Sequence, residues 1–570
     1  MNCIIRVNML TQKITEEPVP EAYRLLGARG LNARILLDEV DADCEPLGSR
    51  NKLIISPGLM AGTSASSSSR LSYGGKSPLT GTIKEANAGG NNAAYLARLG
   101  IKSVIIEDIP NTKDLFILYL GANRKELILA NELKGKRVYE TGEILKQRFE
   151  NVGIACIGPA GEQLMATAGI ANTNSEDEPE RFAARGGLGA VMGSKGLKAI
   201  VIEKTKDKVR IQDEKAFMEG RKKYTNGLLK NETTGQGLPQ WSTLVLVDPI
   251  NAAGDMTVKN MSQGEWDECD HVNAQTMVDL INERGSGKMG HPCQRGCIIR
   301  CSNKYPGKNG ENVCKIDYET VALLGPNLLI NNLDAIAEIN RKCNDVGVDT
   351  MEIAGALGVA MEAGVLNWGD SDRVLEIIDE IATGTVLGKL IGAGALSTGR
   401  VLGIKRIPVV KGQTWGGYDP RASKGQGVTY VTTPQGADHN AGYVVSAEVL
   451  KLGLDLDPLT TDGKVDVSLA YQNYAGTFDC LGICVMATYA TFPDPSCLEG
   501  VVKMVNAVYG SDFTAETIFQ LGDNMIASER EFNRRAGIVI NRPPEFIVNE
   551  PLPPHNVVWD VPFKDLDRIV

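Results

Sequence analysis

Residues 181–203 read RFAARGGLGAVMGSKGLKAIVIE: a turn crowded with glycine that runs directly into an unbroken aliphatic, β-branched strand. Arg185 to Gly196 alone hold five glycines, two of them adjacent. Glycines without side chains let backbone N–H groups approach an anion, and Arg185 and Lys195 add positive charge. Working outward, LIIS (53–56), SVIIEDI (103–109) and IACIG (154–158) repeat the strand signal, separated by Gly, Pro and Ser clusters. A second glycine-rich stretch, SRLSYGGKSPLTGTIKEANAGGNNA (69–93), carries Arg70, Asn87 and the pair Gly89–Gly90. Two such stretches in one β-rich segment point to a large phosphate-bearing cofactor. Neither fits a P-loop or a dinucleotide fingerprint in its strand–helix setting.

The strand pattern stops at the polar run KTKDKVRIQDEKAF (204–217), a domain boundary. Helical periodicity follows, with Ala335, Ile336, Ile339 and Cys343 on one face and further helices expected over 350–364, 372–383 and 515–536. Residues 411–443, including WGGYDPRASKGQG and TTPQGADHNAG, read as loops. The expected class is α+β: a β-rich domain over 1–205 that cradles a cofactor, then two mainly α-helical domains over 206–410 and 411–570. A chain of 570 residues supports roughly three or four domains.

The net charge of −10 argues against nucleic acid, whose phosphates need a basic face. No run approaches the ~20 uncharged apolar residues of a spanning helix, and the N-terminus lacks the apolar core of a signal peptide. Twelve cysteines without an export signal point to a reducing, cytoplasmic setting in which thiols and cluster ligands outnumber disulfides. Four histidines are too few for a histidine-rich metal site.

The cysteines are not scattered. HPCQRGCIIRCSN (291–303) sets Cys293, Cys297 and Cys301 at equal steps, with Cys484 far downstream. On spacing alone the triplet suits a zinc knuckle, core thiols or an iron–sulfur loop. Structural zinc prefers paired ligands, whereas four thiolates complete a cubane. NDVGVD (344–349) and DCLGIC (479–484) echo one another. Each is open to two readings, a helix end closing on a C-cap glycine or a ligand loop. Glu319, ahead of an apolar run, and His439 are acid–base candidates. Taken alone, Glu319 is equally a carboxylate at a helix N-terminus and His439 a loop histidine. In YDPR (418–421), Asp419 and Arg421 read as a structural turn and ion pair.

RVN (6–8), LGARGLNARILLDEV (26–40), KSPLTGTI (76–83), the NAGG turn, ARGGLGAVMGSKGLKAI (184–200), the cysteine triplet, YETVALLG (318–325), YDPR, GADH (436–439) and DCLGIC occur in this order over essentially the whole chain. Together they resemble the aldehyde:ferredoxin oxidoreductase family. The resemblance implies an enzyme that oxidises an aldehyde with water to a carboxylic acid and passes two electrons through a [4Fe–4S] cluster to ferredoxin or another iron–sulfur carrier. It implies tungsten, or molybdenum, held by two pyranopterins whose phosphates are bridged by magnesium. Carried over, Cys293, Cys297, Cys301 and Cys484 hold the cluster, with Cys480 a rival for the fourth place. Arg70 and Arg185 contact phosphates. Asn87 and Gly186 form the turns around magnesium, Gly89 and Gly90 belong to the cofactor-binding set, and Asn344, Asp349 and Asp479 face pterin nitrogens. Glu319 and His439 sit beside the metal.

Two positions depart from the family pattern: the first cysteine gap is three residues rather than two, and Asn344 stands where aspartate is usual, with Asp345 beside it. The alternatives are a relative acting on another substrate such as an acyl-CoA, and an electron-transfer subunit without pterin. A homodimer is compatible with the sequence. An iron bridge between subunits through Glu and His is not expected, since no histidine lies between 292 and 438.

Overall fold

A computed structural model describes residues 1–569. The chain forms two compact units. The first comprises Met1–Gln236, Pro292–Ile299 and Asn473–Ile538, and the second Gly237–His291, Arg300–Gln472 and Val539–Val570.

The first unit is built on two six-stranded sheets of the same topology. Sheet one takes β1 (Cys3–Asn8), β2 (Lys13–Pro18), β3 (Leu53–Pro57), β4 (Leu71–Lys76), β5 (Ile83–Ala88) and β6 (Ile101–Glu107) in the order β2-β1-β6-β3-β4-β5. Sheet two takes β7 (Phe116–Leu120), β8 (Lys125–Leu129), β9 (Val152–Cys156), β10 (Ile170–Thr173), β11 (Pro179–Ala183) and β12 (Leu197–Glu203), ordered β8-β7-β12-β9-β10-β11. Each has one parallel pair, β1 with β6 and β7 with β12, and is otherwise antiparallel. Helices recur at matching points: α1 (Ala28–Glu39) and α3 (Val138–Arg148) before the third strand of each sheet, and α2 (Asn92–Arg98) and α4 (Leu188–Ser194) before the sixth. The fold is therefore an internal duplication. In each half a Gly–Gly pair, Gly89–Gly90 or Gly186–Gly187, ends the fifth-strand connection just before the crossover helix.

Period-two alternation decides which face each strand buries. Phe116, Leu118, Ile200 and Ile202 join Ile5, Val7, Val104 and Ile106 in one core shared by the two sheets. Ile117, Ala199 and Val201 point the other way, onto Val138 and Leu145 of α3. Each fully buried aliphatic side chain contributes about 1.5–3 kcal/mol.

The strands expected over 1–205 are present, but five α-helices interrupt them, the four above and the short Pro159–Glu162. LGARGLNARILLDEV contains α1, buried at Ala28 through Ala33 and again at Ile35 and Leu36. A helix buried nearly all round shows no apolar stripe, so periodicity does not reveal it.

In the second unit, Leu333–Val346, Thr350–Glu362 and Ser371–Thr383 form the expected helices. They are N-capped by the side chains of Asn332, Asp349 and Asp370. The stretch 411–443, expected to be loop, contains the helix Lys424–Thr432, every residue of which is buried. Glycines within it disguise it. At Gly427 a Cβ would stand 2.3 Å from Trp559 Nε1, so the close packing requires the residue that weakens the helical signal.

Lys102, on β6, is buried and its ammonium donates to the Arg24 carbonyl at 3.1 Å. Burial, with Arg24 nearby, pulls its pKa down to about 7. An unfolded lysine titrates near 10.4, so between about 7 and about 10 the unfolded chain binds more protons. Stability from this site therefore rises with pH through that window and is lost as pH falls. Lys102→Met should exceed the wild type in Tm most near pH 7, with the gap narrowing toward about pH 10; thermal melts across that range check it.

Candidate active site

The glycine turns of the two repeats have backbones that a side chain could not adopt without strain. Gly90 has φ +109° and Gly186 φ +80°. A Cβ on Gly90 would lie 2.3 Å from the Thr173 carbonyl oxygen, and one on Gly186 2.5 Å from Lys84 Cγ. Ser77 Oγ donates to the Gly186 carbonyl at 2.7 Å. At Gly89 a Cβ would meet Cys293 Sγ at 3.2 Å, so the first turn touches the cysteine loop directly.

Arg70 carries the next link. Its guanidinium donates to Asn87 Oδ1 at 3.0 Å and to Cys484 Sγ at 3.1 Å, joining the NAGG turn to the distant cysteine. The preceding serines complete the clamp. Ser67 Oγ lies 3.4 Å from Cys297 Sγ, and the Ser67 carbonyl accepts from Cys484 N–H at 2.8 Å. Ser66 Oγ accepts from Ile298 N–H at 3.1 Å, and Gln294 Oε1 accepts from Ser69 N–H at 3.0 Å. Tyr224, fully buried, donates to the Ser66 carbonyl at 3.3 Å; burial, and then the nearby Cys497, Cys484 and Cys297, raise its pKa. Residues 66–69 thus hold Cys293–Cys297 and Cys484 to one short loop within the first unit. Cys301 falls in the second unit and is half-buried. None of the twelve cysteines is in a disulfide. Cys480 faces elsewhere, its Sγ 3.7 Å from the Leu521 carbonyl and packed on Gly30, and burial raises its thiol pKa.

The two echo loops share one backbone device. Gly347 (φ +83°) and Gly482 (φ +71°) both close helices. In each, the residue after the glycine donates back to a carbonyl five positions earlier, Val348 to Cys343 and Ile483 to Phe478. This is the glycine C-cap anticipated from the sequence. The cap then fixes the flanking polar groups. Asn344 is buried in the last turn, and Asp349 caps the following helix by accepting from Met351 N–H at 3.1 Å. Asp479 is held by Arg29 Nη1 at 3.0 Å, and Arg29 is itself clamped by Glu529 through two bonds of 2.8 and 2.9 Å. Glu85 completes this buried group; burial and the Asp479 charge raise its pKa to about 8.

In the second unit Glu319, in the first turn of Tyr318–Leu324, meets His439. Glu319 Oε1 and His439 Nε2 are 3.3 Å apart, both side chains largely buried. Glu319 Oε2 accepts from Gly417 N–H at 2.6 Å. Glu319 Oε1 faces only His439 at that 3.3 Å separation, and His439 Nδ1 has no hydrogen-bond partner among the described residues, which leaves the pair able to take up a ligand's polar groups. Tyr418 and Tyr443 flank the imidazole at 6.1 and 6.4 Å, and the Tyr443 hydroxyl donates to that of Tyr418 at 2.8 Å. Asp419 and Arg421 form a fully buried bidentate pair, the structural role expected of YDPR.

The structure thus gathers Arg70, Asn87, Gly89, Gly90, Cys293, Cys297 and Cys484 in the first unit, together with Arg185, Gly186 and Asp479. Glu319, His439, Asn344, Asp349 and Cys301 lie in the second. Ser66–Ser69, Gln294, Tyr224, Arg29, Glu85 and Glu529 were not expected. Only the serine run before Arg70 could have drawn attention to any of them. In the first unit the thiols suit an iron–sulfur cluster and the strained glycine turns suit close approach of an anion, so these residues fit a pterin and a cluster; in the second unit the Glu319–His439 pair suits proton transfer.

The family model described as aldehyde ferredoxin oxidoreductase, N-terminal domain, matches residues 4–204, and that for domains 2 and 3 matches 219–567. The chain belongs to the aldehyde ferredoxin oxidoreductase family and is an oxidoreductase. It is 34% identical to the tungsten-containing aldehyde ferredoxin oxidoreductase of Pyrococcus furiosus, over 96% of this chain and 91% of that one. Identity to the Thermococcus kodakarensis protein of the same description is 33%, with the same coverage. The active-site complex BamBC of benzoyl coenzyme A reductase, with 1,5-dienoyl-CoA, shares the fold at TM-score 0.77 and 20% identity, covering 95% of this chain and 90% of its own. Among the described residues no helix is long and apolar enough to cross a membrane.

The glycine geometry is directly testable. Gly100 has φ +78°, and a Cβ there would meet nothing within 4 Å, so Gly100→Ala should cost about 1–2 kcal/mol. Gly90→Ala adds a backbone collision and should lower Tm clearly further; melting the two variants side by side compares them.

Proposed function

We propose that this chain oxidises an aldehyde with water to a carboxylic acid, RCHO + H2O → RCOOH + 2H⁺ + 2e⁻, and passes both electrons to ferredoxin or a similar iron–sulfur carrier. The Glu319–His439 pair, in a member of this family, carries the reading. Cys293, Cys297, Cys301 and Cys484 would hold a [4Fe–4S] cluster. Arg70, Arg185 and the turns at Asn87, Gly89, Gly90 and Gly186 would hold two pterin phosphates and their magnesium. Asn344, Asp349 and Asp479 would accept hydrogen bonds from pterin nitrogens. In this reading residues 1–205 cradle the pterin, 206–410 supply the cysteine triplet and first pterin loop, and 411–570 supply His439 and Cys484. The tungsten (or molybdenum) bis-pterin supplies the two-electron redox change, chemistry no side chain can perform.

The protein's own contribution is orientation and proton transfer. Gly417 N–H pins Glu319 Oε2, which leaves Oε1 facing His439 Nε2 at 3.3 Å. Glu319 Oε1 takes a proton from the water that adds to the carbonyl carbon, while His439 donates to the carbonyl oxygen and polarises it. Burial of both groups strengthens these contacts by excluding water. Arg70, donating to Cys484 Sγ and Asn87 together, stabilises thiolate charge at the point where electrons would leave the cofactor. The cytoplasm is the compartment in which such thiols stay reduced.

Anaerobically purified protein should contain tungsten or molybdenum and about four irons per chain. Full iron without either metal, from metal-supplemented cells, would overturn the proposal. Glu319→Gln should lower aldehyde-dependent viologen reduction by about 10²–10⁴-fold while leaving metal content unchanged. Wild-type rates in that variant would remove Glu319 from the chemistry. Activity toward an acyl-CoA rather than any of a panel of aldehydes would reassign the substrate.

A further inference from the structure

Arg29 occupies a position that a structural ion pair does not explain. Its side chain is 5% exposed and its bidentate partner Glu529 1% exposed, so one buried cation is already neutralised by one buried anion. Two more carboxylates nevertheless face the same guanidinium. Asp479 accepts from Nη1 at 3.0 Å, and against the opposing effect of burial, Glu529, Asp479 and the nearby Glu85 keep the guanidinium pKa high. Arg29 is already neutralised by Glu529, so its third bond serves Asp479, whose side chain at 16% exposure is more open to a ligand than either partner. The two added acids are placed informatively. Asp479 opens the second echo loop, DCLGIC. Glu85 lies on β5, the strand that runs into the Asn87–Gly90 turn, where its Oε1 accepts from Ser72 Oγ at 2.7 Å.

Asp479 also sits in the last turn of Lys464–Leu481, and its carbonyl accepts from the capping Gly482 N–H at 3.0 Å. A carboxylate at a helix C-terminus faces the negative end of the helix dipole and is disfavoured there. Arg29 supplies the opposing charge. A carboxylate offers about four acceptor sites, so one bonded to Arg29 can still receive donors from a ligand.

We propose that Arg29, braced by Glu529, is a positioning residue that holds the Asp479 carboxylate in place to bind the pterin at the second echo loop. This rests on the reading that Asp479 faces a pterin. Glu529 fixes the guanidinium plane, and the guanidinium fixes Asp479. Lysine cannot substitute, because a single ammonium lacks the planar fork needed to hold Glu529 with two bonds and Asp479 with a third.

The test uses the full-length holoprotein and follows pterin itself: the rate at which pterin dissociates, measured as fluorescent oxidised pterin in the filtrate, with iron and Tm recorded in parallel. Arg29→Lys should raise that rate about tenfold, the effect of losing one charge-assisted hydrogen bond, with iron per chain unchanged. Asp479→Asn should raise it similarly. The double variant should be no faster than Asp479→Asn alone, because Arg29 acts through Asp479. Wild-type release from a folded Arg29→Lys protein, or multiplied effects in the double variant, would overturn the inference. Should Arg29→Lys fail to fold, Glu529→Gln carries the test: faster release supports the brace, and an unchanged rate overturns it. Wild-type protein that holds no pterin would instead sink the underlying reading of a pterin site.

Discussion

Arg70 makes two bonds on which the first unit's site depends, one to Asn87 on a glycine turn and one to the sulfur of Cys484. The Cys484 thiol and the Asn87 turn are held within ångströms of one guanidinium although more than four hundred residues separate Arg70 from that cysteine in the chain. A guanidinium can do this because its planar fork serves two acceptors at once and remains charged at any physiological pH. The serines before it extend the grip to Cys297 and Gln294. The loop 66–70 thus ties Cys297 and Cys484 together within that unit.

The duplicated sheets explain why the turns lie where they do. The same connection, from the fifth strand into the crossover helix, occurs in both halves and ends both times on Gly–Gly. One copy touches Cys293 and the other rests on the stem of Lys84. Duplicated backbone geometry is a simple way to present the same glycine turn twice. The paired helix caps at Gly347 and Gly482 repeat the logic on a smaller scale. In both, the cap is structural and also decides where its flanking side chain points.

Buried charge is the recurrent expense of this architecture. Arg29 with three acids, Asp419 with Arg421, and Glu448 with Lys464 are all withdrawn from water. Each pairing contributes little net stability but would be severely destabilising if one partner were removed. The Asp419–Arg421 pair is local, two residues apart, and was legible from YDPR as a turn. Arg29 with Glu529 spans five hundred residues, and no sequence pattern announces it.

The order of short motifs alone determined the family: the cysteine steps, the glycine-rich stretches and their sequence along the chain occur together in few proteins, because thiolate, glycine and arginine are each suited to few partners. Strand positions in 1–205 and three capped helices were equally legible, since period-two alternation and Asn or Asp caps are local signals. Tertiary structure decided what local signals cannot encode. Helix α1 is buried nearly all round, so it carries no stripe; Lys424–Thr432 contains glycine because Trp559 leaves no room for a side chain. The pairing of Glu319 with His439 and the clamp of Ser66–Ser69 on the cysteines exist only once distant segments meet. Side-chain chemistry is written residue by residue, whereas position in a buried site is set by packing over the whole chain.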